Sequence, residues 1–192
     1  MAKKLDRIIV VDVEATCWQG DPPTGQASDI IEIGVCTLDI ATLARSDRRS
    51  MLIRPTRSTV SAFCTALTSL TQSEVEHGMD FGDACAVLER DYLSRNRAWT
   101  SWGDYDRQHF ERQCTDLGAR YPFSSSHLNA KTLFALWHRL PRELGMARAL
   151  ALLGLSLEGT HHRDGDDAWN IAALVAELFL SAPGRNAHGS VT

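Results

Sequence analysis

The sequence predicts one α/β domain built around a mixed β-sheet. Strand patterns come early in the chain, helical patterns come late, and the two kinds mix in between. The link between the second and third predicted strands is short, which favours an antiparallel pair, whereas the later helices provide crossover connections. No internal repeat or linker divides the chain.

The first strand is the strongest of these signals. A short run rich in Ile and Val leads to Asp12 and Glu14, and the run stops at Gly20 and Pro22. Three further apolar segments, each short and bounded by turn residues, resemble it in pattern. The predicted strands are residues 7–16, 30–38, 50–54 and 98–102.

The helices are predicted from capping residues and apolar stripes. Thr71 and Glu74 form a capping-box pattern, so a short helix should begin there and end at Gly78. Asp80 is positioned to cap the next helix, and Gly154 to end a later one. The remaining helices are predicted to begin near Asp106, to cover residues 131–140 and 146–153, and to begin near Asp166.

Length and composition are those of an ordinary globular protein. The chain has 192 residues, of which 44% are apolar and 23% charged, enough for one sizeable core. We expect a single domain over residues 1–181 and a disordered tail over residues 182–192, which is rich in small and polar residues. The formal net charge of −4 means that nucleic acid would have to be bound by local basic groups or by metal.

Targeting signals are not evident in the sequence. The first residues carry no signal-peptide pattern, and no apolar run is long enough to span a bilayer, so no membrane partner is expected. The five cysteines are odd in number, scattered and never spaced as C-x-x-C. This spacing argues against a disulfide framework or a zinc site and favours a reducing compartment. We therefore expect a cytoplasmic protein.

Asp12 and Glu14 are the first candidate functional residues. Side chains alternate along a strand, so the two acids share one face about 6.6 Å apart. Two carboxylates on a core strand repel each other and are costly to bury without a cation, which favours a bound divalent metal. The alternative is a strand end that reaches solvent, where both acids are simply hydrated.

A second cluster surrounds the start of the last helix. His161 and His162 lie in a Gly-flanked loop, and Asp164 and Asp166 are in or next to the first turn of the helix. The alternative interpretation is that these two acids only cap the helix and that one histidine is only a loop residue. Asp167 shares a helix face with apolar residues one and two turns later, so it should lean towards the sheet. It is therefore a candidate to share a metal with the first two acids.

A third cluster lies where the fourth strand meets its helix. Asp104 and Asp106 are both near this strand end, and sites in open α/β sheets gather at such ends. Either acid could be the helix N-cap, and if only one enters the site the other is expected to be the cap. Carboxylates with a histidine suit Mg²⁺ or Mn²⁺ rather than zinc, and such ions commonly serve phosphoryl chemistry.

Taken together, these segments resemble the DEDDh subgroup of the DnaQ-like 3′→5′ exonucleases, which have the ribonuclease H-like fold. Their order and the H-x4-D spacing make the resemblance specific, and it extends from about Ile8 to Leu180. The branch most similar contains the histone-mRNA 3′-end exonuclease and the KapD-like proteins. The matching segments are Asp12-x-Glu14-Ala15-Thr16-Cys17, Ile30-Ile31-Glu32-Ile33-Gly34, Phe63-Cys64-x-x-Leu67-Thr68, Trp102-Gly103-x-x-Asp106-x-x-x-Phe110 and His162-x-x-x-x-Asp167-x-x-Asn170.

The resemblance implies a role for each candidate. It selects Asp106 over Asp104 and His162 over His161, although the neighbouring histidine and acids leave the second choice open. Two Mg²⁺ ions, replaceable by Mn²⁺, would be held by the four acids, with His162 as general base. Phe63 would stack on the terminal base, unless it is a core aromatic, and Tyr105 is a second candidate for stacking. The implied catalytic residues are Asp12, Glu14, Asp106, His162 and Asp167.

The resemblance further implies a metal-dependent 3′→5′ exonuclease. Its substrate would be single-stranded RNA, or DNA, with a free 3′ end, and its product a nucleoside 5′-monophosphate. Specificity would come from a protein partner or from the structure of the 3′ end, because no appended nucleic-acid-binding domain is evident in the sequence. Two other functions stay open at this point: a non-catalytic nucleic-acid-binding protein with the same fold, and a polymerase proofreading subunit. A structural Ca²⁺ site fits poorly, since dedicated Ca²⁺ loops supply their ligands locally.

Overall fold

A computed structural model of the chain describes residues 4–159 and 164–181, with the backbone only at Asp164. The strands in this part of the chain are β1 (Lys4–Ala15), β2 (Ile30–Asp39), β3 (Arg45–Leu52), β4 (Arg97–Ser101) and β5 (His127–Asn129). The helices are α1 (Ala62–Thr68), α2 (Gln72–Val75), α3 (Phe81–Tyr92), α4 (Tyr105–Leu117), α5 (Ala130–Trp137), α6 (Met146–Leu152) and α7 (Asp164–Leu180).

The strands form one mixed sheet in the order β3-β2-β1-β4-β5. The pairs β1–β2 and β2–β3 are antiparallel, whereas β1–β4 and β4–β5 are parallel. The predicted α/β fold class and the predicted antiparallel pairing of the second and third strands are therefore confirmed. Strand β1 lies at the centre of the sheet. Helices cover both of its faces.

The two faces of β1 belong to two separate cores. Ile9, Val11 and Val13 pack in a cluster with residues of α3 and α4. Ile8 and Val10 pack in a second cluster with residues of α5, α6 and α7. Because side chains alternate along a strand, the even-numbered residues beyond Val10 continue the face that is covered by α7. This alternation directs Asp12 and Glu14 towards the start of α7.

Several predicted helix ends are confirmed. Thr71 and Glu74 form the capping box of α2, and the Asp80 carboxylate accepts a hydrogen bond from the Gly82 N–H at the start of α3. Gly154 follows α6 with a φ of 68°, a left-handed conformation that glycine adopts without a steric penalty. These ends follow from the sequence because each depends on one or two local side chains.

Four elements differ clearly from the predictions. Helix α1 and strand β5 were not predicted, and both are short, with seven and three residues. Strand β3 begins at Arg45 rather than at Ser50, because the added residues form a largely exposed polar segment on a sheet edge without an apolar pattern. Helix α5 ends at Trp137, earlier than the predicted end at residue 140.

Some predictions lie outside the described residues. These are the histidines His161 and His162 and the tail of residues 182–192. In the part of the chain that the structure describes, no helix is long and apolar enough to cross a membrane.

Candidate metal centre

Three carboxylates converge where β1 meets α7. Asp12 and Glu14 come from β1, and Asp167 comes from the first turns of α7. One carboxylate oxygen from each side chain lies within 4.8 Å of the others, and the Asp167 side chain is 4% exposed. The sequence-based prediction that these three acids converge is thus matched by the geometry. Three carboxylate oxygens this close together form a site suited to a hard divalent cation.

Asp106 lies beside this cluster and contacts the β1 backbone. The pairing of β4 with β1 reaches only Val10 and Thr100, so β1 has no strand on that side at Val13. The Val13 N–H donates to Asp106 Oδ1 at 2.9 Å, and the Asp106 side chain is buried. Asp106 is therefore held next to Val13, the residue between Asp12 and Glu14.

Asp104 lies apart from the cluster and does not act as predicted. It occupies the N-cap position of α4, but its side chain makes no capping hydrogen bond. Its backbone is in the right-handed helical region rather than the extended conformation typical of an N-cap. Its carboxylate instead accepts hydrogen bonds from Asn129 Nδ2 at 2.8 Å and Arg107 Nε at 3.1 Å. Asp104 therefore occupies the predicted N-cap position of α4, but its side chain does not make the capping hydrogen bond.

The electrostatics of the cluster favour a cation. Burial, with added repulsion from the carboxylates of Asp167, Glu32 and Asp106, raises the pKa of Glu14 to about 8. Burial also raises the pKa of Asp106 to about 6, although the hydrogen bond from the Val13 N–H opposes the rise. A divalent ion would offset this repulsion and allow the carboxylates to ionise together. The residues present therefore fit a metal.

Glu32 is a further acid that the sequence did not assign to the site. It lies directly opposite Glu14 in the β1–β2 pair, is buried, and accepts a hydrogen bond from Ser50 Oγ. Its second oxygen, Oε2, is buried with no hydrogen-bond partner among the described residues. The only signal for it in the sequence was a single acid inside an otherwise apolar strand. The Glu32 carboxylate raises the negative potential at Glu14.

A cleft of about 500 Å³ opens over the carboxylates. Tyr105 lines it and is 52% exposed, with its ring centroid 4.2 Å from that of His109. Phe63 is 42% exposed on α1 and shares a helix face with Leu67 one turn later, which lines the cleft. Phe63 is therefore a surface residue near the cleft and not a core aromatic. The other lining residues are Asp12, Val13, Glu14, Trp102, Asp106, Gly145, Met146, Asp167 and Ile171.

Hydrogen bonds join the described residues that precede and follow positions 160–163. The side chain of Asn170 accepts a hydrogen bond from the Glu158 N–H and donates to the carbonyl oxygens of Glu158 and Asp166. Arg45 forms an ion pair with Glu158 at 2.7 Å and lies over the ring of Trp169. Glu158 is therefore held close to the first turns of α7.

The sequence matches the family described as exonuclease (RNase_T) over residues 9–175. It is 27% identical to the 3′-5′ exonuclease Snipper of Drosophila melanogaster over 193 residues, which cover 89% of this chain and 68% of the fly protein. It is 30% identical to human 3′-5′ exoribonuclease 1 over 187 residues, which cover 91% of this chain. The chain spans about half (52%) of the length of that human protein.

A solved structure gives the same result for the fold. The nuclease domain of 3′hExo, a DEDDh family member bound to rAMP, superposes with a TM-score of 0.82 at 27% identity. The match covers 94% of each chain. The predicted ribonuclease H-like fold is therefore confirmed.

Proposed function

The chain belongs to the exonuclease family, and we propose that it is a metal-dependent 3′→5′ exonuclease that hydrolyses single-stranded nucleic acid from a free 3′ end. One observation supports this most directly. The carboxylates of Asp12, Glu14 and Asp167, drawn from segments far apart in the chain, have oxygens within 4.8 Å of one another at the base of an open cleft. A structural role would not require this convergence of like charges.

The proposed cofactor is a pair of Mg²⁺ ions, for which Mn²⁺ can substitute. Asp12, Glu14 and Asp167 would hold the metal directly, and Asp106 would contribute through water. When bound, such ions supply an activated water and neutralise charge on the phosphate. Their presence also reverses the local sign of the charge, so that a negative backbone can approach an acidic protein.

The remaining roles fall to side chains around the cleft. His162 would take the proton from the attacking water, because an imidazole with its usual pKa suits that work near neutral pH. Tyr105 offers an exposed ring, backed by His109, on which a terminal base can stack. Phe63, near the cleft on α1, would contact the base from a second side. The product would be a nucleoside 5′-monophosphate.

We propose RNA as the preferred substrate, with DNA as a possible one. The human relative is named an exoribonuclease, and the superposed nuclease domain holds rAMP, a ribonucleotide. We further propose that residues 1–181 form a single catalytic domain and that a protein partner confers selectivity on it. No observation in the chain favours a proofreading subunit over this activity.

A cleavage time course tests the proposal. The substrates are 5′-labelled single-stranded RNA and DNA of one sequence, incubated with Mg²⁺, with Mn²⁺ or with EDTA, alongside copies blocked by a 3′-phosphate. We expect a ladder that shortens from the 3′ end, requires metal and runs faster on RNA. The Asp12→Asn variant, in which only one oxygen of the cluster is replaced, is the matched inactive control.

Two outcomes would contradict the proposal. Cleavage that begins inside blocked and unblocked strands alike would indicate an endonuclease. Binding of the strands without cleavage in any metal would support the non-catalytic alternative.

A further inference from the structure

We propose that Ser101 and His127 are positioning residues that fix Asp106 at the metal centre. The inference rests on the proposed function, because it takes Asp106 as part of the catalytic site. Neither residue contributes to the cluster of three carboxylates, and neither lines the cleft. They act instead through the turn that joins β4 to α4.

Ser101 is the last residue of β4 and is fully buried. Its Oγ lies 2.8 Å from His127 Nε2 and 2.9 Å from the carbonyl oxygen of Gly103, to which it donates. A hydroxyl has one proton to donate, so a Ser101 Oγ–H that donates to the Gly103 carbonyl accepts its other hydrogen bond from His127 Nε2–H. The hydroxyl thus joins a neighbouring strand to the start of α4.

His127 is held in place from its other side. Its ring packs against Trp99 with centroids 4.3 Å apart, and its Nδ1 lies 3.6 Å from Asp104 Oδ1. The Asp104 carboxylate is fixed in turn by Asn129 and Arg107. Asp104, which is not part of the carboxylate cluster, therefore lies beside the ring that contacts Ser101.

The turn between β4 and α4 transmits this constraint to Asp106. Gly103 has a φ of 122°, a backbone conformation that other residues rarely adopt, and Asp106 follows three residues later. The Ser101 Oγ–H that bonds the Gly103 carbonyl therefore fixes the backbone of the turn from which α4 and Asp106 start. Partners of this kind orient metal-site carboxylates, and their loss typically lowers metal affinity or activity about 10- to 100-fold.

Thr100 provides a matched control for a purely structural hydroxyl. It precedes Ser101 on β4, is equally buried, and its Oγ1 donates to the carbonyl oxygen of Leu128 on β5 at 2.7 Å. Successive side chains of a strand point to opposite faces, so Thr100 points away from Ser101 and its partners, into a separate apolar pocket formed by α5 and α7. Thr100→Val therefore removes a buried hydroxyl that bonds β5, as Ser101→Ala does, without touching the network to Asp106.

The test compares Ser101→Ala, His127→Phe and Thr100→Val with the wild-type protein. For each, the kcat and KM for RNA, the Mg²⁺ concentration for half-maximal activity and the melting temperature are measured. We expect Ser101→Ala to lower kcat and raise the Mg²⁺ requirement about tenfold with an unchanged KM. His127→Phe, which keeps the ring against Trp99, should change the same two quantities in the same direction. Thr100→Val should change only the melting temperature.

A second measurement does not depend on nuclease activity. The metal-free proteins are titrated with Mn²⁺, whose binding is followed by calorimetry, and we expect weaker binding in Ser101→Ala and His127→Phe than in Thr100→Val. If the wild type binds Mn²⁺ but cleaves nothing, the proposed function fails while this arm still decides the positioning role. Equal Mn²⁺ affinities and equal Mg²⁺ requirements in all folded variants would overturn the inference.

Discussion

Two acids near the same end of the sheet, Asp29 and Glu14, have opposite surroundings. Asp29 is fully buried, and its carboxylate accepts hydrogen bonds from the N–H groups of Thr56 and Arg57 and from Arg57 Nε at 2.7 Å. Glu14 is partly buried, and the neighbours that influence its charge most are the carboxylates of Asp167, Glu32 and Asp106. Asp29 is surrounded by donors, whereas Glu14 is surrounded by further acids.

The difference separates a structural acid from a functional one. The hydrogen-bond donors around Asp29 stabilise its negative charge within the protein, so this carboxylate does not require a bound cation. Burial and then repulsion from the acids around Glu14 raise its pKa, and a divalent cation would relieve that repulsion. We therefore expect opposite consequences from one kind of substitution. Asp12→Asn in the acidic cluster should lower activity and not stability, whereas Asp29→Asn should lower stability and not activity.

The largest effect should come from Asp12→Asn in the acidic cluster. Loss of one charged metal ligand removes stabilisation of several kcal/mol, so cleavage in Mg²⁺ should fall by roughly 10³-fold or more. The variant should fold with a melting temperature equal to or above that of the wild type, since like charges are removed. Full activity in this variant would remove Asp12 from the site.

The next effect concerns the general base. We expect His162→Ala to lose roughly 10²-fold or more in kcat, the contribution typical of a positioned base, while His161→Ala loses little. Single-turnover cleavage rates on one RNA would measure both variants. The reverse order of the two would show that His161 is the base.

Asp29→Asn should instead affect folding. The amide cannot match the donors that surround the carboxylate, and breaking a buried ion pair costs about 3 kcal/mol. Urea unfolding should show this loss, while kcat per folded molecule stays near the wild-type value. A variant with normal stability and lost cleavage would erase the distinction between the two acids.

A smaller effect is the pH dependence of the metal-free protein. The pKa of Glu14 is raised to about 8 in the folded state, so between about pH 4.5 and 8 the folded protein keeps a proton that the unfolded chain releases. The stability contributed by this proton is complete below that window and is lost as pH rises through it. Melting temperatures in EDTA should therefore fall with pH relative to those of Glu14→Gln, and saturating Mg²⁺ should restore them. A constant difference between the two proteins at every pH would contradict the shift.

The smallest effect should come from Tyr105→Ala at the cleft. Loss of one stacking surface costs roughly 1 kcal/mol, so KM for RNA should rise about fivefold with kcat nearly unchanged. Tyr105→Phe, which keeps the ring over His109, is the control and should bind normally. A change in kcat alone would place Tyr105 in the chemistry rather than in binding.

The sequence predicted the parts of this site that depend on short-range periodicity. Alternation along β1 placed Asp12 and Glu14 on one face, and the helical stripe of α7 directed Asp167 towards the sheet. The choice of Asp106 over Asp104 came from the family resemblance, since both acids lie close to the end of β4. Local pattern and family spacing together therefore identified the four acids.

The parts that were missed depend on long-range pairing. Glu32 faces Glu14 only because of the register of β1 with β2, and Ser101 meets His127 only because the short strand β5 pairs with β4. Strand β5 has three residues, too few for a recognisable pattern. A sequence carries no local signal for such contacts, so these contacts are seen only in the folded protein.

The most direct test of the acidic cluster is a crystal soaked in Mn²⁺ and measured for anomalous scattering. We predict a peak in contact with the carboxylates of Asp12, Glu14 and Asp167, with a second peak if two ions bind, and no peak at Asp29. The same soak of the Asp12→Asn variant should lose the signal. A well-ordered wild-type cluster without Mn²⁺, or Mn²⁺ bound only elsewhere, would contradict the account.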